Sequence, residues 1–322
     1  MAVFDFGVIV FCSLIILYAG SKFADASSKI GDYYNLPKSV KGVTLDAVSS
    51  SAPEFFIAVF SVIAFGYLEL GIGTIVGSAL FNFLLIPAMC IIISRKRVKL
   101  GKEVVYREGA FYAASVMLLL LALFFLETWG FFMAFVFIFC YFAYLYVILK
   151  NTRGYWKKTK TRRNKVLGLK NEVIIFLISL VLIGVATYFL TDHSINFAEE
   201  LNVPPVLIGF TVVAIATSLP DGIISMVNAR KGSMDDAISN TLGSNIFNIL
   251  AGLSIPVLLN VIILGPVEIF FEHFEVLIGL LIVTVALPLM MIKNRVLTPG
   301  KAVLLLIIFF LFQAYFVYLA VA

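Results

Sequence analysis

One sequence pattern occurs twice in this chain: GVTLDAVSSSAPE at residues 42–54 and GFTVVAIATSLPD at residues 209–221. Glycine, threonine, alanine, serine, proline and a carboxylate coincide at a constant offset of 167 residues. A second pair follows at an offset of 166, with GSALFN at residues 77–82 and GSNIFN at residues 243–248. The chain therefore contains a duplicated helix–turn–helix unit.

The composition around this duplication is that of a membrane protein. Hydrophobic residues make up 61% of the chain and charged residues 13%, whereas about a quarter of a soluble domain is charged. Apolar stretches of about 20 residues, enough to cross ~30 Å of hydrocarbon as a helix, can be placed ten times. We therefore predict an all-α integral membrane protein with ten transmembrane helices, near residues 4–24, 43–66, 71–94, 108–127, 129–149, 172–191, 206–228, 237–263, 270–292 and 299–320.

The basic residues predict the orientation of these helices. All 24 lysine and arginine residues fall in the loops after odd-numbered spans, and the other loops carry acidic residues instead. The positive-inside rule then puts both termini outside and the basic connector at residues 151–171 in the cytoplasm. Residues 150–170 are predicted to bind anionic lipid, or to form an ordinary solvated loop. We expect the protein to lie in the plasma membrane. The net charge of +5 comes from these loop residues, so we expect no nucleic-acid partner.

The duplication and the span count together predict two inverted five-helix repeats. The first covers residues 1–150, with its acidic motif at residues 42–82. The second covers residues 172–322, with its acidic motif at residues 209–248. Because each half has an odd number of crossings, the second half enters the membrane upside down, as in many secondary transporters.

Glu54 and Asp221 are the chemically informative residues of the motifs. Each lies well inside an apolar span, where an ionisable group is costly unless it is paired, hydrated or ion-bound. No lysine or arginine lies in these spans, whereas serine, threonine and asparagine side chains are abundant. Pro53 and Pro220 also free the backbone carbonyls one turn earlier. These oxygens suit Ca²⁺ and Na⁺ better than copper or zinc, so the motifs predict a cation site at mid-membrane.

Close helix packing is an alternative explanation for the small residues of the motifs, such as Gly77 and Gly243. It explains the carboxylates poorly, because packing does not require an acid at the same place twice.

Asp46 has no acidic counterpart in the second half, where Val213 takes its place. It precedes Glu54 by roughly two helical turns on the predicted cytoplasmic side. We interpret it as an entry-path carboxylate, or alternatively as a solvated residue or the partner of Lys41.

Both pairs of motifs resemble the α-repeats of the sodium/calcium exchanger family, within the cation/Ca²⁺ exchanger superfamily. The segments are SAPE at residues 51–54, GTIVGSALFN at 73–82, ATSLPD at 216–221 and GSNIFN at 243–248. The resemblance implies alternating access, with Na⁺ entry driving Ca²⁺ extrusion through one site. By position, it implies that the ligands of Ca²⁺ or Na⁺ are Glu54, Asp221, Ser50, Ser51, Ser78, Asn82, Thr217, Ser218, Ser244 and Asn248.

Two details of the motifs narrow this expectation. Potassium-dependent members usually have an aspartate at the position of Asn248, so we expect no K⁺ requirement. The second acid, Asp221, is shorter than the usual glutamate.

We predict a Na⁺/Ca²⁺ antiporter, with Ca²⁺/H⁺ antiport as the alternative, and a passive channel or an idle scaffold as other classes. The three cysteines lie in apolar runs without a Cys/His cluster, so we expect no cofactor, and we expect no obligate protein partner.

Overall fold

The computed structural model describes residues 2–36, 38–94, 97–159, 169–268 and 295–321. The α-helices within these ranges are α1 (Ala2–Tyr33), α2 (Lys38–Lys41), α3 (Ala47–Ser50), α4 (Ala52–Ile63), α5 (Leu68–Leu80), α6 (Ile86–Ser94), α7 (Gly109–Phe125), α8 (Phe131–Thr159), α9 (Leu169–Glu200), α10 (Pro205–Ile208), α11 (Ala214–Arg230), α12 (Met234–Phe247), α13 (Ser254–Ile263) and α14 (Pro299–Val321). Wider π-helical turns are π1 (Gly42–Asp46), π2 (Phe81–Leu85), π3 (Glu103–Glu108), π4 (Gly209–Val213) and π5 (Asn248–Gly252). Short strands are β1 (Val98–Lys99), β2 (Thr128–Trp129), β3 (Val267–Glu268) and β4 (Val296–Leu297).

The helices confirm the all-α membrane fold class. In the described ranges, eight helical segments are long and apolar enough to cross a membrane, and the bent pair Thr44–Ser50 and Ala52–Ile63 makes up to nine. These segments follow the predicted spans in order. The predicted span at residues 270–292 lies outside the described residues.

Two helices are much longer than their predicted spans. α1 and α9 have 32 residues each, or about 48 Å along the axis at 1.5 Å per residue. Their charged ends pair with each other: Lys29 Nζ lies 3.2 Å from Glu172 Oε1, and His193 Nδ1 lies 2.6 Å from Asp5 Oδ1. Both helices therefore extend beyond the predicted spans at 4–24 and 172–191.

The first part of the connector is helical. Helix α8 continues through Thr159, so the first part of the predicted segment at residues 151–171 is helical. Residues 160–168 lie outside the described residues.

The π-helical turns follow the internal repeat. π1 and π4 are related by the offset of 167 residues, and π2 and π5 both begin at the end of the second motif of their half. π-helical turns inside α-helices are frequent at functional sites. The repeat found in the sequence is therefore also a repeat of backbone structure.

Two short antiparallel ladders join the halves, since β1 pairs with β4 and β2 pairs with β3. The first ladder contains Lys99 and adjoins Arg295, whereas the second adjoins Glu127 and contains Glu268. The 23-residue segment Glu103–Phe125 separates β1 from β2, or about 35 Å along a helix. The ladders therefore lie at opposite ends of the bundle, one in basic and one in acidic surroundings.

Helix α5 and turn π4 cross at the centre of the molecule without room for side chains. A Cβ added to Gly77 would lie 2.5 Å from the carbonyl oxygen of Phe210, and one added to Gly209 would lie 2.6 Å from that of Leu70. The close-packing explanation is thus correct for Gly77. At this crossing the acidic motifs of the two halves are in direct contact.

Candidate cation site

Glu54 and Asp221 lie at the buried centre of this crossing. Glu54 is in the first turn of α4, just after the break at Ser51, and Asp221 follows Pro220 in the middle of α11. Both side chains are completely buried, and no lysine or arginine is among the buried side chains that the structure describes. The two carboxylates therefore have no basic residue beside them in the described core.

The Glu54 carboxylate is bound by one serine from each half. Its Oε1 accepts hydrogen bonds from Ser78 Oγ and Ser218 Oγ, each at 3.1 Å. The two hydroxyl oxygens are 2.8 Å apart. Glu54 thus lies where the two repeats meet.

The Asp221 carboxylate is also bound from both halves. Its Oδ2 accepts from Asn82 Nδ2 at 2.8 Å, and its Oδ1 accepts from Ser244 Oγ at 3.0 Å. Asn240 Nδ2 makes a longer contact of 3.5 Å with the same Oδ1. Ser50 Oγ joins this group at 3.2 Å from Ser244 Oγ.

The spacing of Ser78 and Asn82 links the two groups. Residues four apart lie on one face of a helix, so Ser78 reaches Glu54 while Asn82, one turn later, reaches Asp221. This geometry explains why the motif GSALFN places a serine and an asparagine at this distance.

Several buried oxygens at the site have no hydrogen-bond partner among the described residues. Buried polar groups are almost always paired, and an unpaired one costs about 1–3 kcal/mol. A hard cation, which takes several oxygen ligands, would satisfy such atoms. The unpaired oxygens are Glu54 Oε2, Ser51 Oγ, Asn82 Oδ1, Asn240 Oδ1 and Asn248 Oδ1.

The structure joins seven of the ten predicted site residues into the two hydrogen-bonded groups described above. The remaining three are also completely buried. Thr217 Oγ1 donates to the Val213 carbonyl of its own helix at 3.1 Å. Ser51 Oγ and both amide atoms of Asn248 have no partner within the described residues.

Two asparagines and one serine belong to the site although the sequence did not single them out as ligands. Asn245 Oδ1 accepts from Asn82 Nδ2 at 3.1 Å, and its Nδ2 donates to the Ala79 carbonyl at 3.2 Å. Asn240 Nδ2 also donates to Ser225 Oγ at 3.2 Å. The sequence does show that Asn240 is a polar residue one helical turn before Ser244, which could have identified it.

A cavity of about 670 Å³ extends from Asn240 to the surface near Asp236 and Lys102, and we name it the vestibule. Asp46 lines it, and Asp46 Oδ1 has no partner among the described residues. Lys41 Nζ instead pairs with Asp32 Oδ1 at 2.8 Å.

Two buried carboxylates on a duplicated unit, flanked by unpaired oxygens and by a vestibule that ends at Asn240, are the arrangement expected of a membrane transporter. The model of the family described as sodium/calcium exchanger protein matches residues 4–150 and 171–318. The chain belongs to this family, whose members exchange cations for Ca²⁺.

Known proteins are similar to this chain over different lengths. Inner membrane protein YrbG of Escherichia coli K12 is 25% identical over 257 residues, which are 76% of this chain and 77% of YrbG. Sodium/potassium/calcium exchanger Nckx30C of Drosophila melanogaster is 41% identical over 97 residues, which are 30% of this chain and 11% of that protein. The solved structure of the sodium-calcium exchanger NCX_Mj has a TM-score of 0.67 and 21% identity, covering 98% of this chain and 99% of that one. The last similarity concerns the fold alone.

Proposed function

We propose that this chain is a secondary active antiporter that exchanges Na⁺ for Ca²⁺ by alternating access, without a K⁺ requirement. The observation that carries the proposal is the set of buried, unpaired oxygens beside Glu54 and Asp221. Carboxylate, hydroxyl and amide oxygens are the ligands that these hard cations prefer. Membership of the sodium/calcium exchanger family supports the same reading.

The charge of the site gives a reason for exchange. Glu54 and Asp221 together balance one Ca²⁺, or can accommodate more than one Na⁺, so the two ions compete for the same oxygens. In this proposal the hydroxyls and amides complete the coordination, and they come from Ser50, Ser51, Ser78, Asn82, Thr217, Ser218, Ser244 and Asn248.

The position of the vestibule supports alternating access. Its wall includes Lys41, Lys102, Arg107 and Lys231, and basic residues mark the cytoplasmic side of a membrane protein. The structure would then correspond to a state open toward the cytoplasm. In the other state the path would open on the side of β2 and β3.

The same rule gives the proposed placement in the cell. Both termini would lie outside the plasma membrane, with residues 150–170 in the cytoplasm. The lysines and arginines of this segment would bind anionic lipid headgroups there.

Independence from K⁺ is proposed because Asn248 carries no charge. The relative Nckx30C is named as a sodium/potassium/calcium exchanger, so the K⁺ dependence of this chain has to be measured directly. A stimulation of Ca²⁺ flux by K⁺ would contradict this part of the proposal.

Ca²⁺/H⁺ antiport is the second candidate, and one observation favours it. Two completely buried carboxylates without a basic neighbour in the described core can be neutralised by protons as well as by metal ions. Protons would then replace Na⁺ as the counter-ion at the same residues.

The test uses purified protein in sealed proteoliposomes with radioactive Ca²⁺. We expect Ca²⁺ uptake when Na⁺ is loaded inside and removed outside, with little uptake under a pH gradient alone. Uptake driven only by the pH gradient would establish H⁺ coupling instead. Ca²⁺ flux that needs no gradient of a counter-ion would indicate a channel. The absence of Ca²⁺ flux under every gradient would indicate an idle scaffold.

A further inference from the structure

Asn240 occupies an unusual position beside the paired carboxylates. Its side chain is 1% exposed on α12, one turn before Ser244. Its Nδ2 donates to Ser225 Oγ at 3.2 Å and makes the 3.5 Å contact with Asp221 Oδ1. Its carbonyl oxygen, Oδ1, has no partner among the described residues. The amide is therefore anchored on its nitrogen side and unpaired on its oxygen side.

Asn240 also lines the vestibule, and none of the ten predicted ligands is among the residues that line it in the described part of the chain. Asn240 thus touches both the vestibule and the Asp221 carboxylate. A cation moving between the vestibule and Asp221 meets this amide on its way.

The equivalent position in the first half has a different side chain and different bonding. Thr74 takes this place, at the offset of 166 residues that relates the second motifs. Its hydroxyl donates to the Leu70 carbonyl of its own helix at 2.8 Å, and Thr74 is completely buried. The first half therefore offers no free amide oxygen at this level, and the feature is specific to one side of the site.

We propose that Asn240 is a cation ligand on the vestibule side of the site. Its carboxamide oxygen binds the entering cation next to the Asp221 carboxylate. The contacts with Ser225 and Asp221 hold the amide nitrogen, which leaves the carboxamide oxygen for the ion. Amide carbonyls are regular ligands of Ca²⁺, so Asn240 raises the apparent affinity for Ca²⁺ at this face. This inference rests on the proposed cation transport at Glu54 and Asp221.

The experiment measures the KM for Ca²⁺ separately at each membrane face, in membrane vesicles of defined orientation. The variants are Asn240→Ala, Asn240→Asp and, as the matched control in the other half, Thr74→Ala. For Asn240→Ala we expect the KM for Ca²⁺ to be about tenfold higher at the vestibule face. Loss of a residue that supports a metal site lowers metal affinity by a similar factor. The KM at the opposite face should stay near wild type, as should both KM values of Thr74→Ala.

Asn240→Asp separates a ligand role from a purely structural one. Aspartate keeps the oxygen and adds charge but removes the donor to Ser225 and Asp221. If Asn240 is a ligand, this variant keeps a KM for Ca²⁺ at or below the wild-type value at the vestibule face. If Asn240 only holds Asp221 in place, aspartate fails as alanine does, and the proposal is refuted.

Other outcomes are equally decisive. An unchanged KM in Asn240→Ala, or an equal rise at both faces, would refute the inference. Should the alanine variant not yield monodisperse protein, Asn240→Leu, which has a similar volume and no side-chain oxygen, replaces it with the same expected rise. A wild-type protein without gradient-driven Ca²⁺ flux would refute the proposed function itself, which is a separate result.

Discussion

The two halves carry the same motif but bind their carboxylates unequally. In each half, a serine donates to the acid of its own half: Ser78 to Glu54 at 3.1 Å and Ser244 to Asp221 at 3.0 Å. The asparagine one turn later should then reach across to the other half. Asn82 does so and donates to Asp221 at 2.8 Å, whereas the equivalent Asn248 has no partner among the described residues.

The serines before the prolines differ in the same way. Ser218 donates across the interface to Glu54 at 3.1 Å, but its counterpart Ser51 is unpaired in the described part of the chain. The backbone differs as well, with a 51° bend at Ser51 and a helix that continues through Pro220 in the second half. Both Asp221 oxygens are hydrogen-bonded, whereas Glu54 has one free oxygen.

This inequality is what the proposed alternating access would require of an inverted repeat. Two halves of similar sequence must adopt different conformations, so that the site opens to one side at a time. The saturated carboxylate, Asp221, is the one whose neighbour Asn240 lines the vestibule. The candidates for binding the ion in this state are the unpaired oxygens of Glu54, Ser51, Asn82, Asn240 and Asn248.

Removing the negative charge of either carboxylate should have the largest effect on Ca²⁺ transport, and the effect should be similar in the two halves. We expect Glu54→Gln and Asp221→Asn each to lower Ca²⁺ transport by more than about a hundredfold, beyond the loss caused by a supporting residue of a metal site. Gradient-driven uptake in proteoliposomes measures this, and Glu127→Gln, at an exposed loop position, is the control. Normal uptake in either variant would exclude that carboxylate from the site.

The two asparagines should separate stability from ion binding. Asn82→Ala removes a hydrogen bond to a charged group, worth about 1.5–3 kcal/mol, and should lower the Tm of ion-free protein. Asn248→Ala removes no hydrogen bond that the structure shows, so its ion-free Tm should stay near wild type. Its Tm increase upon Ca²⁺ addition should be smaller, because a ligand that binds the folded state stabilises it.

Thermal unfolding in detergent, with a chelator and then with excess Ca²⁺, compares the two variants directly. The unequal bonding described here would be wrong if both variants lost the same ion-free stability. Asn248 would be excluded as a ligand if its variant kept the full Ca²⁺-dependent increase.

The fold could be predicted largely from the sequence, because a membrane limits the choices. Apolar stretches of about 20 residues become helices, and the duplicated motifs fixed the relation of the halves. The extensions of α1 and α9 beyond their spans were not predicted, because Lys29 and His193 contact partners 143 and 188 residues away in the chain. A hydropathy pattern records no such long-range pairing.

The site was predictable to the extent that it repeats. Glu54, Asp221 and their serines stand at equivalent positions, so each half identified the other. Asn240 was missed because its counterpart is Thr74, and the repeat gave no signal there. The unequal bonding of Asn82 and Asn248 could not be predicted, because identical residues differ here only through the conformation of their halves.

The smallest effect is expected from the two serines that precede the prolines. Ser218→Ala removes a hydrogen bond to Glu54, whereas Ser51→Ala removes none that the structure shows. A single hydrogen bond contributes about 1 kcal/mol, so the ion-free Tm should fall slightly in Ser218→Ala and stay near wild type in Ser51→Ala. Both variants should raise the KM for Ca²⁺, since both hydroxyls are proposed ligands. Equal ion-free Tm values would mean that Glu54 does not distinguish the two halves, and that the difference between them lies in the backbone bend at Ser51 alone.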